Sequence, residues 1–509
     1  MAPPTRTVAA RLRGARLRRF ARWLGWLGPL VLLLAVSLPH LDQGDFNGDT
    51  GWYSAVGLSA WRSGQCWTLY GMPGQPYFNK PPLAFWIHGG VLAVLGPSVW
   101  AARLPTLLAA AIAVCFTNAI GRRLLGPRAG ALAAGALALS IEFFRRTREV
   151  SLDMWQLAFM LGALWLVLRG VRRAGEPPHA NGAGPAQAWP FALAGFPLGL
   201  ALLCKPLTGL VMLPVAAAML ATLGHARQAR MLLATLAVAI AVAAPWHASM
   251  VIRHGDEFLR QYLGAEVVDR AAGRLERSSN RSSPWWFYCR QIAANYWPWL
   301  ACVALAWLSW ARLRDRARPA MLAAAVWAGA WLAVLSAFPD RRDRYALPIY
   351  PALAWMASAW LAAPAMPWAA RVCKAARWWG PPIAAALGIA VAIAPIRVQA
   401  PPAAQWSALY DWLDGPRAAE PRTLWVAGQA PAAAARAYLR TGEWPRATMD
   451  RWGAFVGMPT RGDLVLYHRR CGLAPGGDER TIWERDDLRI TRVGDGLWTP
   501  VPVPDPGER

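Results

Sequence analysis

The chain has 509 residues, of which 56% are hydrophobic and only 16% charged, and its mean hydropathy is +0.23. Soluble domains carry about 25% charged residues, so this composition indicates a membrane protein. The net charge of +25 would suit a nucleic-acid-binding protein. The arginines, however, lie in short clusters between apolar segments, where they orient helices in a membrane, and we expect no nucleic-acid partner. The seven cysteines lack C-x-x-C spacing, which argues against a disulfide framework and a zinc site.

Eleven apolar segments approach the length of about 20 residues that crosses a bilayer. They cover residues 23–41, 103–121, 128–145, 152–169, 189–204, 206–224, 231–250, 288–310, 319–338, 345–363 and 379–396. The first follows a basic stretch and lacks a small-residue cleavage site, so we predict an uncleaved helix after a basic cytoplasmic N-terminus at residues 1–22. The shorter segment 81–96 is interrupted by glycine and proline, and we expect a helix in the membrane interface there.

The short turns after every second helix are basic, for example GRRLLGPR (121–128) and ARLRDRAR (311–318). Under the positive-inside rule these turns lie in the cytoplasm. The loops 42–102 and 251–287 and the C-terminal residues then lie outside, which is the periplasm if the cell has an outer membrane. We therefore predict an α-helical, multi-pass membrane domain over residues 23–399.

Residues 400–509 have a different character from the membrane domain, with more charge and alternating apolar runs. TLWVAG, DLVLYHRR and DLRITRVG predict short strands, and PAAAARAYLRT predicts a helix between them. We expect a small C-terminal α/β domain on the periplasmic side. It contains no recognisable catalytic motif, so a packing or lid role is the simpler interpretation.

Three of the predicted outer turns are also basic, which the positive-inside rule does not explain. They are EFFRRTREVSLD (142–153), CKPLTG (204–209) and PDRRDRYALP (339–348). Charge at the edge of a membrane is costly and usually functional. Convergent arginine and lysine suit a phosphate, although single arginines also anchor helix ends in anionic headgroups.

Two acids near the outer boundary are candidates for proton transfer, Asp49 after the first helix and Asp153 at the start of the fourth. Two carboxylates in one site can have different roles: one deprotonates a nucleophile, and the other maintains the geometry of the site. Helix capping is the structural alternative for Asp153, because an acid in the first turn is favoured by the helix dipole. His247 could ligate a metal or be a hydrogen-bonded structural residue.

The order of the motifs resembles the bacterial GT-C glycosyltransferases, in the protein O-mannosyltransferase-like branch that includes the lipid A aminoarabinose transferase (ArnT-like). DTGWY (49–53), YFNKPP (77–82) and ARLP (102–105) correspond to Asp-Glu-x-x-Tyr, Tyr-Phe-Glu-Lys-Pro-Pro and Ala-Arg-Leu-Pro of that family. REVSLDMW (148–155) is similar to its second acidic motif, and DRRDRYALPIYPALA (340–354) to its Arg-Tyr-x-Leu-Pro-x-Tyr-Pro signature. The resemblance covers residues 20–365.

The resemblance implies a GT-C bundle of about 11 transmembrane helices with a periplasmic first loop. It also implies an inverting transferase that moves a sugar from a polyprenyl-phosphate donor to a glycolipid such as lipid A, a polysaccharide or a protein. Asp49 is then the general base, and Asp153 is the second catalytic candidate. The residues expected to bind the donor phosphate are Lys80, Lys205, Arg341, Arg344 and Tyr345, and those expected to line the substrate are Tyr53, Tyr77 and Trp285.

Two departures from the family pattern affect the metal and the substrate. Thr50 and Asn79 stand where the family has glutamates. A divalent metal would have only Asp49, Asp153 and His247 to hold it, so we assign no cofactor and keep a divalent metal as the alternative. The changes equally suit a different donor sugar or acceptor, and aminoarabinose is one candidate. The alternative functions are a flippase for lipid-linked sugars and a non-catalytic GT-C relative.

Overall fold

The structure, a computed structural model, divides into two compact units. The first comprises residues 1–41, 79–81 and 106–396, and the second comprises residues 42–78, 82–105 and 397–509. The residues that the structure describes are 25–39, 41–46, 48–72, 75–171, 188–205, 208–269, 272, 274, 283–313, 317–359, 371, 411–412, 424–426, 431–444, 446–447, 463–468, 473–474, 480–485, 488–492 and 499–500.

The described residues of the first unit form helices joined by turns. Its α-helices are α1 (Gly25–Ser37), most of α4 (Val99–Leu125), α5 (Pro127–Ala138), α6 (Ile141–Thr147), α7 (Leu152–Gly170), α8 (Ala188–Leu202), α9 (Met212–Thr222), α10 (Leu232–Leu259), α11 (Phe287–Leu308), α12 (Ala317–Ala337) and α13 (Ile349–Ala359). Short 3₁₀ turns cover Thr208–Val211, Ala226–Met231, Trp310–Arg312 and Asp343–Ala346, and a π-helical segment covers Arg260–Asp269.

Among the residues that the structure describes, four helical stretches are long and apolar enough to cross a membrane, which indicates a multi-pass membrane protein. They are Val99–Leu125, Leu152–Gly170, Ala226–Asp269 and Ala317–Ala337. The predicted segment 128–145 is not one helix, since α5 ends at Ala138 and α6 begins at Ile141. The segment 379–396 lies outside the described residues. The count of eleven crossings stays a prediction.

Helices α8 and α10 approach each other closely because α8 carries glycines four residues apart on the contact face. A Cβ atom on Gly195 would lie 2.5 Å from the Thr235 carbonyl oxygen, and one on Gly199 would lie 2.5 Å from Val242 Cβ. The Thr235 hydroxyl also donates to the Phe191 carbonyl oxygen at 2.8 Å. This is the small-residue packing, reinforced by an interhelical hydrogen bond, that joins helices in membranes.

In the second unit, the first loop forms a helix pair and a small hairpin. The elements are α2 (Gly48–Ser63), β1 (Tyr70–Met72), β2 (Gln75–Pro76) and α3 (Leu83–Leu95), and α3 occupies the segment expected to form an interfacial helix. Gly57 and Gly89 allow α2 and α3 to touch, since a Cβ on Gly89 would lie 2.2 Å from the Gly57 carbonyl oxygen. Any side chain at Gly89 would push these helices apart.

The C-terminal part of the second unit contains the strands and the helix expected from the sequence. Strand β3 (Leu424–Val426) lies in TLWVAG, β5 (Leu464–His468) in DLVLYHRR and β8 (Leu488–Arg492) in DLRITRVG. Helix α14 (Pro431–Thr441) matches PAAAARAYLRT. A five-stranded sheet has the order β4-β3-β5-β8-β7, parallel from β4 to β5 and antiparallel beyond; β4 is Arg446–Ala447 and β7 is Arg480–Arg485. A separate pair joins β6 (Leu473–Ala474) and β9 (Thr499–Pro500).

Helix α14 and the turn after it pack on the first loop within this second unit. Arg436 and Asp45 form an ion pair at 3.2 Å with side chains only 4% and 5% exposed. The Trp444 indole N–H donates to the Ser59 hydroxyl on α2 at 2.8 Å, and its ring stacks on Tyr438 at 4.6 Å. The C-terminal region is therefore part of the structure that supports α2.

We expect Arg436→Ala to lower the stability of the protein by about 3–5 kcal/mol, because it removes the guanidinium from a buried carboxylate. Thermal unfolding of the purified protein in detergent measures the loss. Glu443→Gln, at an exposed residue in the turn after this helix, is the control and should stay within about 0.5 kcal/mol of wild type. Equal behaviour of the two variants would show that the Arg436–Asp45 pair does not stabilise this unit.

Candidate active site

The three basic turns that the sequence predicts on the outer side meet in the first unit around Asp153. Lys205 Nζ lies 2.5 Å from one carboxylate oxygen of Asp153, and Arg344 Nε lies 3.7 Å from the other. Lys205 Nζ also stands 3.8 Å from the centre of the Tyr345 ring, which is a cation–π contact. One acid therefore contacts two cations.

Asp153 does not cap its helix through its side chain. Ser151 takes that position at the start of α7, and its hydroxyl accepts a hydrogen bond from the Met154 N–H at 3.2 Å. The Asp153 carboxylate is left to bind Lys205 and Arg344, with a side chain 13% exposed. Its local role is to hold these two cations together, and a catalytic role stays a prediction.

A second group of charged side chains lies around Arg146, and in it three carboxylates surround one guanidinium. The guanidinium contacts Glu142 at 2.6 Å, Glu149 at 2.7 Å and Asp343 at 2.7 Å, and it is 6% exposed. Burial opposes the charge on Arg146, but the three carboxylates outweigh burial and raise the pKa of the guanidinium above its ordinary value. Because three acids surround one cation, Arg146 is suited to joining α6 to the 343–346 turn and unsuited to binding a phosphate.

Arg341, one of the predicted phosphate ligands, contacts backbone carbonyls. Its Nη1 donates to the Ser283 carbonyl oxygen at 2.5 Å and its Nη2 to that of Ser336 at 2.8 Å. These bonds fix the start of α11 and the end of α12 beside the basic turn. Trp285, predicted to line the substrate, lies next to this point and is 72% exposed.

Lys80 forms a short ion pair with Glu266, although 186 residues separate them along the chain. Lys80 Nζ lies 2.6 Å from a carboxylate oxygen of Glu266, and the side chains are 12% and 6% exposed. Glu266 stands on the π-helical segment, one turn after Tyr262, whose hydroxyl contacts His247 Nε2 at 2.8 Å. His247 Nδ1 lies 2.9 Å from the Ala243 carbonyl oxygen, so both ring nitrogens have protein partners.

Asp49 lies in the second unit, in the first turn of α2, where the helix dipole favours an acid. The loop before it is held by the Arg103 guanidinium, which donates to the Gln43 carbonyl oxygen, and by the Asp45–Arg436 pair. The close approach of Gly51 to Phe46 completes this turn, since a Cβ there would lie 2.4 Å from the Phe46 carbonyl oxygen. Asp49 is therefore presented from a fixed helix start.

Tyr53 and Tyr77, predicted to line the substrate, belong to an aromatic cluster in the second unit. Both rings pack edge-on against Phe85, at 5.3 Å and 5.5 Å between centroids. Tyr77 also packs against Trp52 at 6.0 Å. The two tyrosines are 9% and 5% exposed, so this cluster holds α2, the hairpin and α3 together. Contact with a substrate stays a prediction for both.

The residues present do not fit a divalent metal. Within the part of the chain that the structure describes, no three side chains of His, Cys, Asp or Glu gather at one point. Thr50 and Asn79 stand where the family has carboxylates, and His247 contacts Tyr262 and a backbone carbonyl. We therefore assign no step of the proposed reaction to a metal ion.

Glu266 and Arg436 are the polar residues that motif analysis missed. Glu266 lies in GAEVVDR, an otherwise uncharged run until Asp269, and the missing carboxylate at Asn79 was a signal that Lys80 needs an acid from elsewhere. Arg436 lies in an alanine-rich helix, where nothing in the local pattern indicates a partner.

Sequence comparison relates the chain to glycosyltransferases. A family described as Dolichyl-phosphate-mannose-protein mannosyltransferase matches residues 79–248. The undecaprenyl phosphate-α-4-amino-4-deoxy-L-arabinose arabinosyl transferase 2 of Pseudomonas fluorescens Pf-5 is 26% identical over 287 residues, which are 54% of this chain and 46% of that protein. The corresponding transferase of Pseudomonas paraeruginosa PA7 is 27% identical over 333 residues, 62% of this chain and 56% of that protein. The chain thus matches about half the length of these relatives.

Structure comparison extends the similarity over most of the chain. ArnT from Cupriavidus metallidurans bound to undecaprenyl phosphate superposes with a TM-score of 0.69 at 18% identity, covering 91% of this chain and 96% of that one. The archaeal oligosaccharyltransferase AglB from Archaeoglobus fulgidus gives a TM-score of 0.51 at 12% identity, covering 89% and 70%. The resemblance of this chain to the ArnT-like GT-C glycosyltransferases, drawn from its motifs, is therefore confirmed in sequence and in fold.

Proposed function

We propose that the chain is an inverting glycosyltransferase that moves a sugar from a polyprenyl-phosphate donor to an acceptor on the periplasmic face of a bacterial inner membrane. The observation that carries this proposal is the outer-face set in which Asp153 holds Lys205 and Arg344. Two cations against one acid suit a bound phosphate. The relatives, moreover, are named for undecaprenyl-phosphate-linked aminoarabinose.

The phosphate side of the reaction needs fixed positive charge. The bond between the anomeric carbon and the phosphate oxygen breaks, and its electron pair stays on the polyprenyl phosphate. Lys80, Lys205 and Arg344 are the residues that we assign to this charge, because cations aimed at a developing negative charge stabilise the transition state. Tyr345 contacts Lys205 and fixes the position of its ammonium.

The acceptor side needs a base when the nucleophile carries a proton. We assign this role to Asp49, which is presented at the start of α2 in the motif DTGWY. The carboxylate takes the proton of the acceptor while the nucleophile attacks the anomeric carbon on the face opposite the phosphate, and the configuration inverts. A glycolipid such as lipid A is the acceptor class that we favour, and aminoarabinose is the first sugar to test.

A reconstituted assay tests the proposal directly. The purified chain in nanodiscs is given a polyprenyl-phosphate sugar and a glycolipid, and mass spectrometry follows both lipids. A transferase yields glycosylated acceptor and free polyprenyl phosphate in equal amounts, and NMR of the product gives the anomeric configuration. A flippase would move the intact donor across a liposome membrane without breaking the bond. The proposed enzyme would be contradicted if transfer survived heat denaturation of the protein, or if no envelope acceptor received the sugar.

Membrane orientation is tested separately, because the site must face the periplasm. We expect the N-terminus inside, eleven crossings and residues 400–509 outside, from the basic short turns. An alkaline phosphatase fusion after residue 400 should be active, and a fluorescent-protein fusion at the same point should stay dark. The reverse result would invert the topology and place the outer-turn cations in the cytoplasm.

A further inference from the structure

A buried carboxylate lies directly beside the lysine assigned to the donor phosphate. Glu266 and Lys80 meet at 2.6 Å with side chains 6% and 12% exposed. The family pattern has a glutamate next to this lysine in sequence, whereas this chain has Asn79 and brings its carboxylate from the π-helical segment. A carboxylate therefore lies at Lys80 through a contact that is distant in sequence.

The π-helical segment that carries Glu266 is held in place by Tyr262. Tyr262, one turn earlier, is 2% exposed, stacks on Phe258 at 4.9 Å between ring centroids and contacts His247 Nε2 at 2.8 Å. Gly255, at φ 51° and ψ −129°, breaks the helix just before this segment and turns it to a new direction. The carboxylate is therefore held at the lysine by packing as well as by charge.

The distance between this carboxylate and any phosphate on Lys80 follows from hydrogen-bond geometry. Two oxygens that each accept a bond of about 2.8 Å from one ammonium lie roughly 4–5 Å apart. At that separation two negative charges in a partly buried site repel each other substantially. Lys80 thus attracts a phosphate, while Glu266 opposes each additional negative charge on it.

The reaction changes the phosphate charge at this point. The donor is a phosphodiester with one negative charge, and the released polyprenyl phosphate is a monoester with a charge of about −1.5 to −2 at pH 7. We propose that Glu266 is a specificity-determining residue that disfavours the more highly charged polyprenyl phosphate relative to the diester donor, and so promotes release of the product. This inference rests on the proposed function, in which Lys80 binds the donor phosphate.

The test compares two lipids that differ in charge and lack the sugar. Dissociation constants are measured in nanodiscs for polyprenyl phosphate, a monoester, and for its methyl ester, a diester with one charge. We expect Glu266→Gln to tighten binding of the monoester at least about threefold more than binding of the diester, because one repelling charge is removed. Under turnover, inhibition by added polyprenyl phosphate should strengthen by the same ratio.

The controls separate charge from folding. Glu257→Gln, an exposed residue before the same π-helical segment, should leave both dissociation constants unchanged, and Glu266→Asp, which keeps the charge, should retain the wild-type ratio. The proposal would be overturned if Glu266→Gln changed the dissociation constants of the two lipids equally, or if it weakened the binding of both. If Lys80→Ala leaves both constants at wild-type values, it is instead the phosphate role of Lys80 that fails.

Discussion

Lys80→Ala is expected to lower turnover about 10²–10³-fold, the usual loss when one fixed donor to a developing negative charge is removed. Lys80 stands in YFNKPP, and only two other lysines occur in the chain, Lys205 and Lys374. Arginine supplies the other basic residues, so a compact ammonium is used here where a planar guanidinium would not approach one phosphate oxygen in the same way. Single-turnover rates and donor affinities in nanodiscs measure the loss.

The Lys80–Glu266 ion pair requires a control for stability. Removing the ammonium from a buried carboxylate should itself destabilise the protein by about 3–5 kcal/mol. The double variant Lys80→Ala/Glu266→Gln should recover most of that stability without recovering turnover. Lys80→Arg should recover part of the donor affinity. If Lys80→Ala binds donor and turns over like wild type, the basic turn PDRRDRY becomes the better phosphate site.

Local patterns were sufficient to predict most of the elements. Apolar length predicted α7 and α12 to within two residues at each end, and alternation predicted β5 and β8 in the C-terminal region. The break between α5 and α6 was missed, because residues 129–141 carry no charge through the turn at Leu139 and Ser140. Hydropathy reports burial in a membrane or a core and does not report where a helix bends.

Partners that are distant in sequence explain what could not be predicted at the candidate site. Basic residues in three turns predicted to lie outside indicated a shared site, and the structure joins Lys205 and Arg344 from two of these turns to Asp153 in the third. The pairing of Lys80 with Glu266 spans 186 residues, and that of Arg436 with Asp45 spans 391. No periodicity or spacing connects such positions, so charge alone could not show that Arg146 is surrounded by three acids.

The two candidate carboxylates should respond differently to the same change. Asp49→Asn should abolish transfer while leaving expression and thermal stability near wild type, because asparagine keeps the shape and the helix-start position and loses only the proton acceptor. Asp153→Asn should instead lower stability and donor affinity together, because it removes the charge that holds Lys205 and Arg344 side by side. Donor binding, single-turnover rate and thermal unfolding in detergent are measured for both variants.

A comparison of the donor dissociation constant with the single-turnover rate decides which carboxylate is the base. With Asp49→Asn, the donor dissociation constant should stay near wild type and the rate of the bond-breaking step should fall, since a base acts on the acceptor and makes no contact with the bound phosphate. Transfer by Asp49→Asn at the wild-type rate would remove Asp49 from the mechanism. If Asp153→Asn kept donor affinity and stability but lost turnover, Asp153 would be the base, and the cations around it would serve to keep its carboxylate ionised rather than to hold the phosphate.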